Sequence, residues 1–219
     1  MHKDASSEGQ IISDNAAFWE DYYQHKRTQS NGKPSAALVR FTTDLPPGRA
    51  LELGCSHGDD ALWLAMRGWQ VVAVDISAIA LKRALAKAVA AGLDHRIDFR
   101  CLDLLESFPE EHFDLVTAFF LQSPVQIPRA RILRQAAGAV APGGLFLMVD
   151  HGAMPPSAEM EHPHPEFPAL EETHSQLNAH ASHWETVYLD SPQREVELPD
   201  GKKVSLKDNI IALRRKRSE

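Results

Sequence analysis

The sequence predicts an α/β fold, a mostly parallel sheet covered by helices on both faces. Three observations carry this. Between residues 49 and 149, short apolar runs with strand character alternate with longer helical stretches. Glycine or aspartate marks the strand ends, as at Leu53-Gly54 and Val74-Asp75. The helical stretches are long enough to act as crossovers, which are right-handed between parallel strands.

The elements follow in order. Residues 1–15 are polar and without period, so fraying is expected there. Over residues 16–25, Phe18, Trp19, Tyr22 and Tyr23 recur at spacings of three and four, the face of a short helix. Residues 28–34 (TQSNGKP) are turn chemistry. Residues 36–43 read as a helix closed by Leu45-Pro46-Pro47-Gly48. Strands are expected at 49–53, 70–74, 96–101, 113–119 and 145–149, the last entered through the turn Pro142-Gly143-Gly144. Helices fall at 59–67, stopped by Gly68, at 77–91 with Ser77 as N-cap, and at 129–140. Residues 151–182 are rich in histidine and proline and read as an insertion or lid with one helix. Strands at 184–189 and 207–215 then join through Pro199-Asp200-Gly201.

Composition narrows the class. Of 219 residues, 43% are hydrophobic and 24% charged, which excludes a disordered or fibrous chain. Cys55 and Cys101 are the only cysteines, so neither a disulfide framework nor a multi-cysteine metal site is available, and a reducing compartment fits. The balance of 23 basic and 30 acidic residues gives −7, which disfavours nucleic acid as the main partner. The first twenty residues lack a signal-peptide core, and no apolar run approaches the roughly 18 residues of a membrane span. A cytoplasmic protein without a membrane partner is expected. The sequence is silent on oligomeric state.

In an open parallel sheet, ligands bind outside the carboxyl ends of the strands. There the glycine-containing loop from Gly54 to Gly58 opens a helix and admits a ligand close to the backbone. Asp75, 21 residues beyond Gly54, stands where a carboxylate accepts bonds from both ribose hydroxyls. Asp103, after the third strand, is placed to accept from an adenine amino group. A nicotinamide cofactor would want Gly-x-Gly-x-x-Gly, whose second glycine is missing.

The stretch ALELGCSHGDDALWLAMRGWQVVAVDIS resembles the first two motifs of class I S-adenosylmethionine (SAM)-dependent methyltransferases. FDLVTAFFLQ and APGGLFLMVD resemble that family's fourth- and fifth-strand motifs. The resemblance is close over residues 35–150 and loose over the last strands. The pattern is nearest to tellurite-resistance and thiopurine methyltransferase-like enzymes. These also place an aromatic helix and a Gly-x-Pro segment before the core, as Phe18-Trp19, Tyr23 and Gly32-Lys33-Pro34 do here.

The resemblance implies a Rossmann-like, seven-stranded sheet with an antiparallel last strand. It implies an N-terminal cap segment (1–34) and a SAM-dependent methyltransferase domain (35–219) carrying the 151–182 insertion. S-adenosyl-L-methionine is the implied cofactor. Gly54, Cys55 and Gly58 would shape the loop for its methionine part, with Ser56 replacing the family's middle glycine. Asp75 would hold the ribose and Ile76 would pack on the adenine. Asp103 and the Leu104 backbone would read the adenine edge, and Phe119 would lie near the sulfonium.

The acceptor is less defined. The fourth strand ends in Phe119-Phe120-Leu121-Gln122, not the Asn/Asp-Pro-Pro-Tyr/Phe of amino-group methylators of DNA and glutamine. This and the acidic balance point to a small molecule: a thiol, a selenium or tellurium oxyanion, or a heteroaromatic N or O. Detoxification or specialised metabolism would be the setting. Candidate acceptor contacts are Trp19, Tyr22, Tyr23, Lys33, Phe120 and His151, with His151 a weak candidate for a base. His57 reads as a polar filler of its loop. His162, His164, His174, His180 and His183 do not fix a zinc geometry, and no metal is expected. Cys101 reads as a small core residue, and Arg214-Arg215-Lys216-Arg217 as a solvated tail. Two other functions stay open, a SAM-binding sensor or assembly subunit without chemistry and a protein side-chain methyltransferase. A closed aromatic pocket under residues 18–23 would mean a small acceptor, and an open groove a macromolecule.

Overall fold

The computed structural model describes residues 5–125, 127–152, 167–197, 201 and 203–217. The helices are α1 (Ala5–His25), α2 (Ala36–Thr42), α3 (Asp59–Met66), α4 (Ala78–Ala90), α5 (Arg129–Gly138) and α6 (Leu170–Gln176). The strands are β1 (Arg49–Leu53), β2 (Gln70–Asp75), β3 (Ile97–Cys101), β4 (Phe113–Phe119), β5 (Val140–His151), β6 (Trp184–Asp190), β7 (Gln193–Glu197) and β8 (Lys203–Arg215).

The sheet runs β3-β2-β1-β4-β5-β8-β6. Strands β1 to β5 are mutually parallel, and β8 is antiparallel to both β5 and β6. Side chains of a strand alternate between faces. Ala50 and Leu51, Ala73 and Val74, Leu147 and Met148, and Ala212 and Leu213 accordingly divide between two separate apolar clusters, one on each face. Trp69 and Leu64 fill one cluster, Phe146 and Leu133 the other. Each fully buried large side chain contributes about 1.5–3 kcal/mol.

Several expectations are corrected. The sheet has an eighth strand, because β8 is 13 residues long and its neighbours cover only its second half. The alternating first half, Lys203–Lys207, pairs with β7 instead. The first helix begins at Ala5, well before residue 16. Pro142-Gly143-Gly144 does not leave the sheet, since a register irregularity between Phe113 and Leu115 takes it into β5 as a bulge.

Cys101 is exposed and its thiol points at the Ile76 carbonyl, 3.6 Å away, because it ends the edge strand β3. The basic run is no free tail. Arg214 donates to the Gly143 carbonyl at 3.2 Å, Arg215 to the Val140 carbonyl at 2.5 Å, and Lys216 to the Ala181 carbonyl at 2.7 Å. These carbonyls fix that end of the sheet.

Two features position the strand ends. Ser77 is the N-cap of α4, its Oγ accepting from the Ala80 amide at 3.2 Å. Arg129, at the start of α5, makes a buried ion pair with Asp150 at 2.5 Å and donates to the Leu121 carbonyl at 2.8 Å. The loop after β4 is thereby tied to the end of β5. Residues 153–166 of the expected insertion lie outside the described residues, His162 and His164 among them, as does most of the Pro199-Asp200-Gly201 turn. From residue 167 onward the insertion contains α6.

Candidate active site

Two cavities open at the carboxyl ends of the parallel strands and share Trp19, Tyr23, Gly54, Phe119 and Phe120. The narrower is walled by Asp75, Ile76, Leu102, Asp103 and Leu104. The wider, about 560 Å³, takes in Cys55, Ser56, His57 and Lys33.

The loop between β1 and α3 is shaped by backbone conformation. Gly54 has φ +69°, and a Cβ there would lie 3.0 Å from the Leu121 side chain. Ser56 also has positive φ, +51°, a conformation that L-residues other than Gly, Asn and Asp seldom adopt. It is held there by its amide, which donates to Asp75 Oδ2 at 2.8 Å, and by its Oγ, 3.1 Å from His57 Nδ1. The site thus retains the glycine-like backbone where the sequence departs from Gly-x-Gly-x-Gly. Gly58 lines neither cavity. Its φ is +72° and a Cβ would stand 2.9 Å from Ala84 Cβ, so it brings the loop against α4.

Asp75 is buried at the end of β2, and its second oxygen accepts from the Ser77 amide at 3.0 Å. Burial pushes its carboxyl up, while the Ser77, Ser56 and Ile76 amides pull it down. Asp103 Oδ1 accepts from the Leu105 amide at 2.8 Å, and its Oδ2 is buried without a partner among the described residues. An orphaned carboxylate oxygen in the cavity wall is expensive unless a ligand donor completes it.

The other predicted residues divide. Cys55 is buried, and burial followed by Asp75 pushes its thiol up, so it serves through its backbone: its amide donates to the Val74 carbonyl at 2.9 Å. Tyr22 lines neither cavity and stacks on Phe18 with centroids 6.1 Å apart. His151 also lines neither; its ring stacks on Phe120 at 4.3 Å, with Asp208 Oδ1 3.9 Å from its Nδ1. Phe120 carries a positive φ of +51° at the end of β4, where backbone strain often marks functional positions.

Sequence reasoning missed several groups. Asn15, four residues before Trp19 and eight before Tyr23, lines the narrow cavity and accepts from Ser123 Oγ at 2.8 Å. Extending the aromatic spacing backwards would have found it. At the other end of α1, the Tyr23 carbonyl accepts from Arg83 of α4 at 2.6 Å. Helix α1 therefore bridges from the β4 loop to α4 across both cavities. Glu52, in the wider cavity, has Oε2 without a partner among the described residues, and burial pushes its carboxyl well above the usual range. Burial and the nearby cations Lys87, Arg27 and Arg83 push His57 below its ordinary value, so it is neutral near pH 7. Among the described residues, no group of three or more His, Cys, Asp or Glu side chains is placed to hold a metal.

The fold is that of class I SAM-dependent methyltransferases. Residues 50–144 match the family model of the methyltransferase domain. The chain is 34% identical over 116 residues to 27-O-demethylrifamycin SV methyltransferase of Amycolatopsis mediterranei (strain S699), covering 52% of this chain and 42% of that protein. A structure on the conversion of a disulfide bond into a thioacetal group during echinomycin biosynthesis shares the fold, with TM-score 0.69 and 23% identity over 93% of this chain and 94% of its own. So does Burkholderia thailandensis 1,6-didemethyltoxoflavin-N1-methyltransferase with bound 1,6-didemethyltoxoflavin and S-adenosylhomocysteine. Its TM-score is 0.64 at 17% identity, over 99% of this chain and 92% of that one. The chain spans between 29% and 52% of the length of the curated relatives it matches.

S-adenosyl-L-methionine is the cofactor of this class, and the residues present fit it. The orphaned Asp103 oxygen suits an adenine amino donor, and the Cβ-free surface at Gly54 leaves room where the two cavities join. No described helix is long and apolar enough to cross a membrane.

Proposed function

We propose that this chain transfers the methyl group of SAM to a small molecule. The reading rests on one observation above the rest: a narrow cavity with two carboxylates runs into a wider one at Gly54, Phe119, Phe120, Trp19 and Tyr23. Asp75 takes the ribose, while Ile76, Asp103 and Leu104 take the adenine. Gly54, Cys55 and Ser56 take the methionine part, supported from behind by Gly58, and Phe119 lies beside the sulfonium. Bound SAM supplies an activated methyl, whose transfer to an acceptor lone pair leaves S-adenosylhomocysteine.

The chain's own contribution is alignment and exclusion of water, and alignment alone lowers a barrier by roughly 7–11 kcal/mol. The groups at the junction make poor bases. Burial, then Asp75, pushes the Tyr23 hydroxyl above its ordinary range, while burial and nearby cations lower the proton affinity of His57, which is 2% exposed in the wider cavity. A soft or already deprotonated acceptor fits such a site: a thiol, a chalcogen oxyanion or a heteroaromatic N or O. Residues 1–34 act as the cap of the 35–219 domain, and Trp19, Tyr23, Lys33 and Phe120 face the acceptor. Methylation of a small metabolite in the cytoplasm, in detoxification or specialised metabolism, is the setting we infer.

The test is calorimetric titration with SAM and with S-adenosylhomocysteine, followed by labelled-methyl transfer to thiols, chalcogen oxyanions and heteroaromatics. Micromolar binding of both and transfer to one acceptor class is the expected result. Absence of binding would overturn the reading, and binding without transfer to any acceptor would favour a sensor.

A further inference from the structure

The wider cavity is lined by four cations, Arg27, Lys33, Arg40 and Arg194. It also contains four acids, two of them already ion-paired. Asp59 accepts from Lys87 at 2.7 Å, and Asp208 forms an ion pair with Arg194. Glu52 is 5% exposed and burial pushes its carboxyl well above the usual range. Asp60, pushed up to about 6 by burial, is turned to the Ser35 amide, from which it accepts at 2.6 Å, and leaves one carboxylate against three cations. Arg27, Lys33 and Arg40 make no salt bridge among the described residues.

Arg40 is nonetheless held in place. Its guanidinium lies 4.5 Å from the Tyr188 ring centroid and 4.9 Å from that of Phe41. Stacking of this kind occupies the face of a guanidinium and leaves its N–H edge to bind an anion. Like charges in one concavity repel one another and focus a positive potential into it, a costly arrangement unless an anion answers it. The single carboxylate of SAM answers at most one of the three. The inner wall, by contrast, is apolar: Phe119, Phe120, Val149 and Ile210.

We propose that the methyl acceptor is an anionic small molecule with an apolar body, its charge held by Lys33 and Arg40 and its body laid against Phe119 and Phe120. This rests on the methyl-transfer reading above and narrows it. A neutral acceptor of the same shape would leave both cations unanswered and bind weakly.

The experiment uses the full chain and an isosteric pair of probes, para-(methylthio)benzoate and its uncharged amide, whose thioether cannot ionise. Each is titrated into the protein saturated with S-adenosylhomocysteine. The carboxylate is expected to bind roughly tenfold to a hundredfold more tightly, as charge-assisted hydrogen bonds allow. In the double variant Lys33→Gln/Arg40→Gln that gap should close, with affinity for the amide and for SAM retained. Equal affinity of the two probes, a gap that survives in the variant, or binding of neither up to its solubility would overturn the proposal. Loss of SAM affinity in the variant would assign these cations to the cofactor carboxylate and also overturn it. Failure of the native protein to bind SAM would instead remove the underlying reading.

Discussion

Glu20 of α1 and Ser77, the N-cap of α4, are joined by a hydrogen bond across 57 residues of sequence, the Ser77 hydroxyl donating to Glu20 Oε2. The same carboxylate oxygen accepts from the Ile79 amide at 3.3 Å. It therefore sits at the positive end of α4, where a negative charge is favoured. The consequence is mechanical: the aromatic helix is pinned to the strand end that carries Asp75. Glu20→Ala is expected to cost about 1–3 kcal/mol, the penalty for orphaning a buried donor. Amide hydrogen exchange should accelerate over residues 15–23 while the central strands keep their protection. Unchanged exchange in that helix would show that Glu20 does not hold it.

Asp103→Asn tests the adenine end. The amide can still accept from Leu105, but it places either a donor or a weaker acceptor at the orphaned position. SAM affinity should fall by on the order of 1–3 kcal/mol with little change in unfolding midpoint. Calorimetry beside urea denaturation separates the two effects, and unaltered affinity would sink the adenine assignment.

Gly54 and Gly58 should fail differently. Gly58→Ala forces a methyl to within 2.9 Å of Ala84 at positive φ, away from either cavity. It should lower stability by about 1–3 kcal/mol. Gly54→Ala meets only the tip of Leu121, which can move, but the methyl projects where the two cavities join. Its main effect should be weaker SAM binding. Thermal unfolding and SAM titration of both variants would expose an exchanged pattern.

Asp60 makes stability depend on pH. Its carboxyl titrates near 3.8 when unfolded and at about 6 when folded, chiefly through burial. Between these values the folded protein binds more protons than the unfolded chain, so stability falls as pH rises through the window. The loss attributable to Asp60, on the order of 3 kcal/mol, is complete above about pH 6. Glu52, Asp75 and Asp150 shift in the same direction, so the native protein must be compared with Asp60→Asn. Urea unfolding at about pH 4.5 and pH 7.5 should show a smaller loss in the variant. Equal losses would mean that Asp60 titrates normally.

The five parallel strands, the Ser77 cap and the positions of Gly54, Asp75 and Asp103 were legible in the sequence. Each depends on local rules: apolar runs of strand length, capping chemistry, and the placement of ligands at strand ends. What only the tertiary structure decided involves partners far apart in sequence. Ser56 adopts a glycine's backbone because Asp75, 19 residues on, accepts from its amide. The terminal basic run is structural because the Val140 and Gly143 carbonyls lie beside it in space. Cys101 is exposed because β3 is an edge strand, and β7 exists because β8 outruns its neighbours. The union of two cavities under α1, with three cations in one of them that make no salt bridge among the described residues, likewise has no local signature. Periodicity reports which face of an element is buried, while the pairing of buried polar groups depends on which elements the chain brings together.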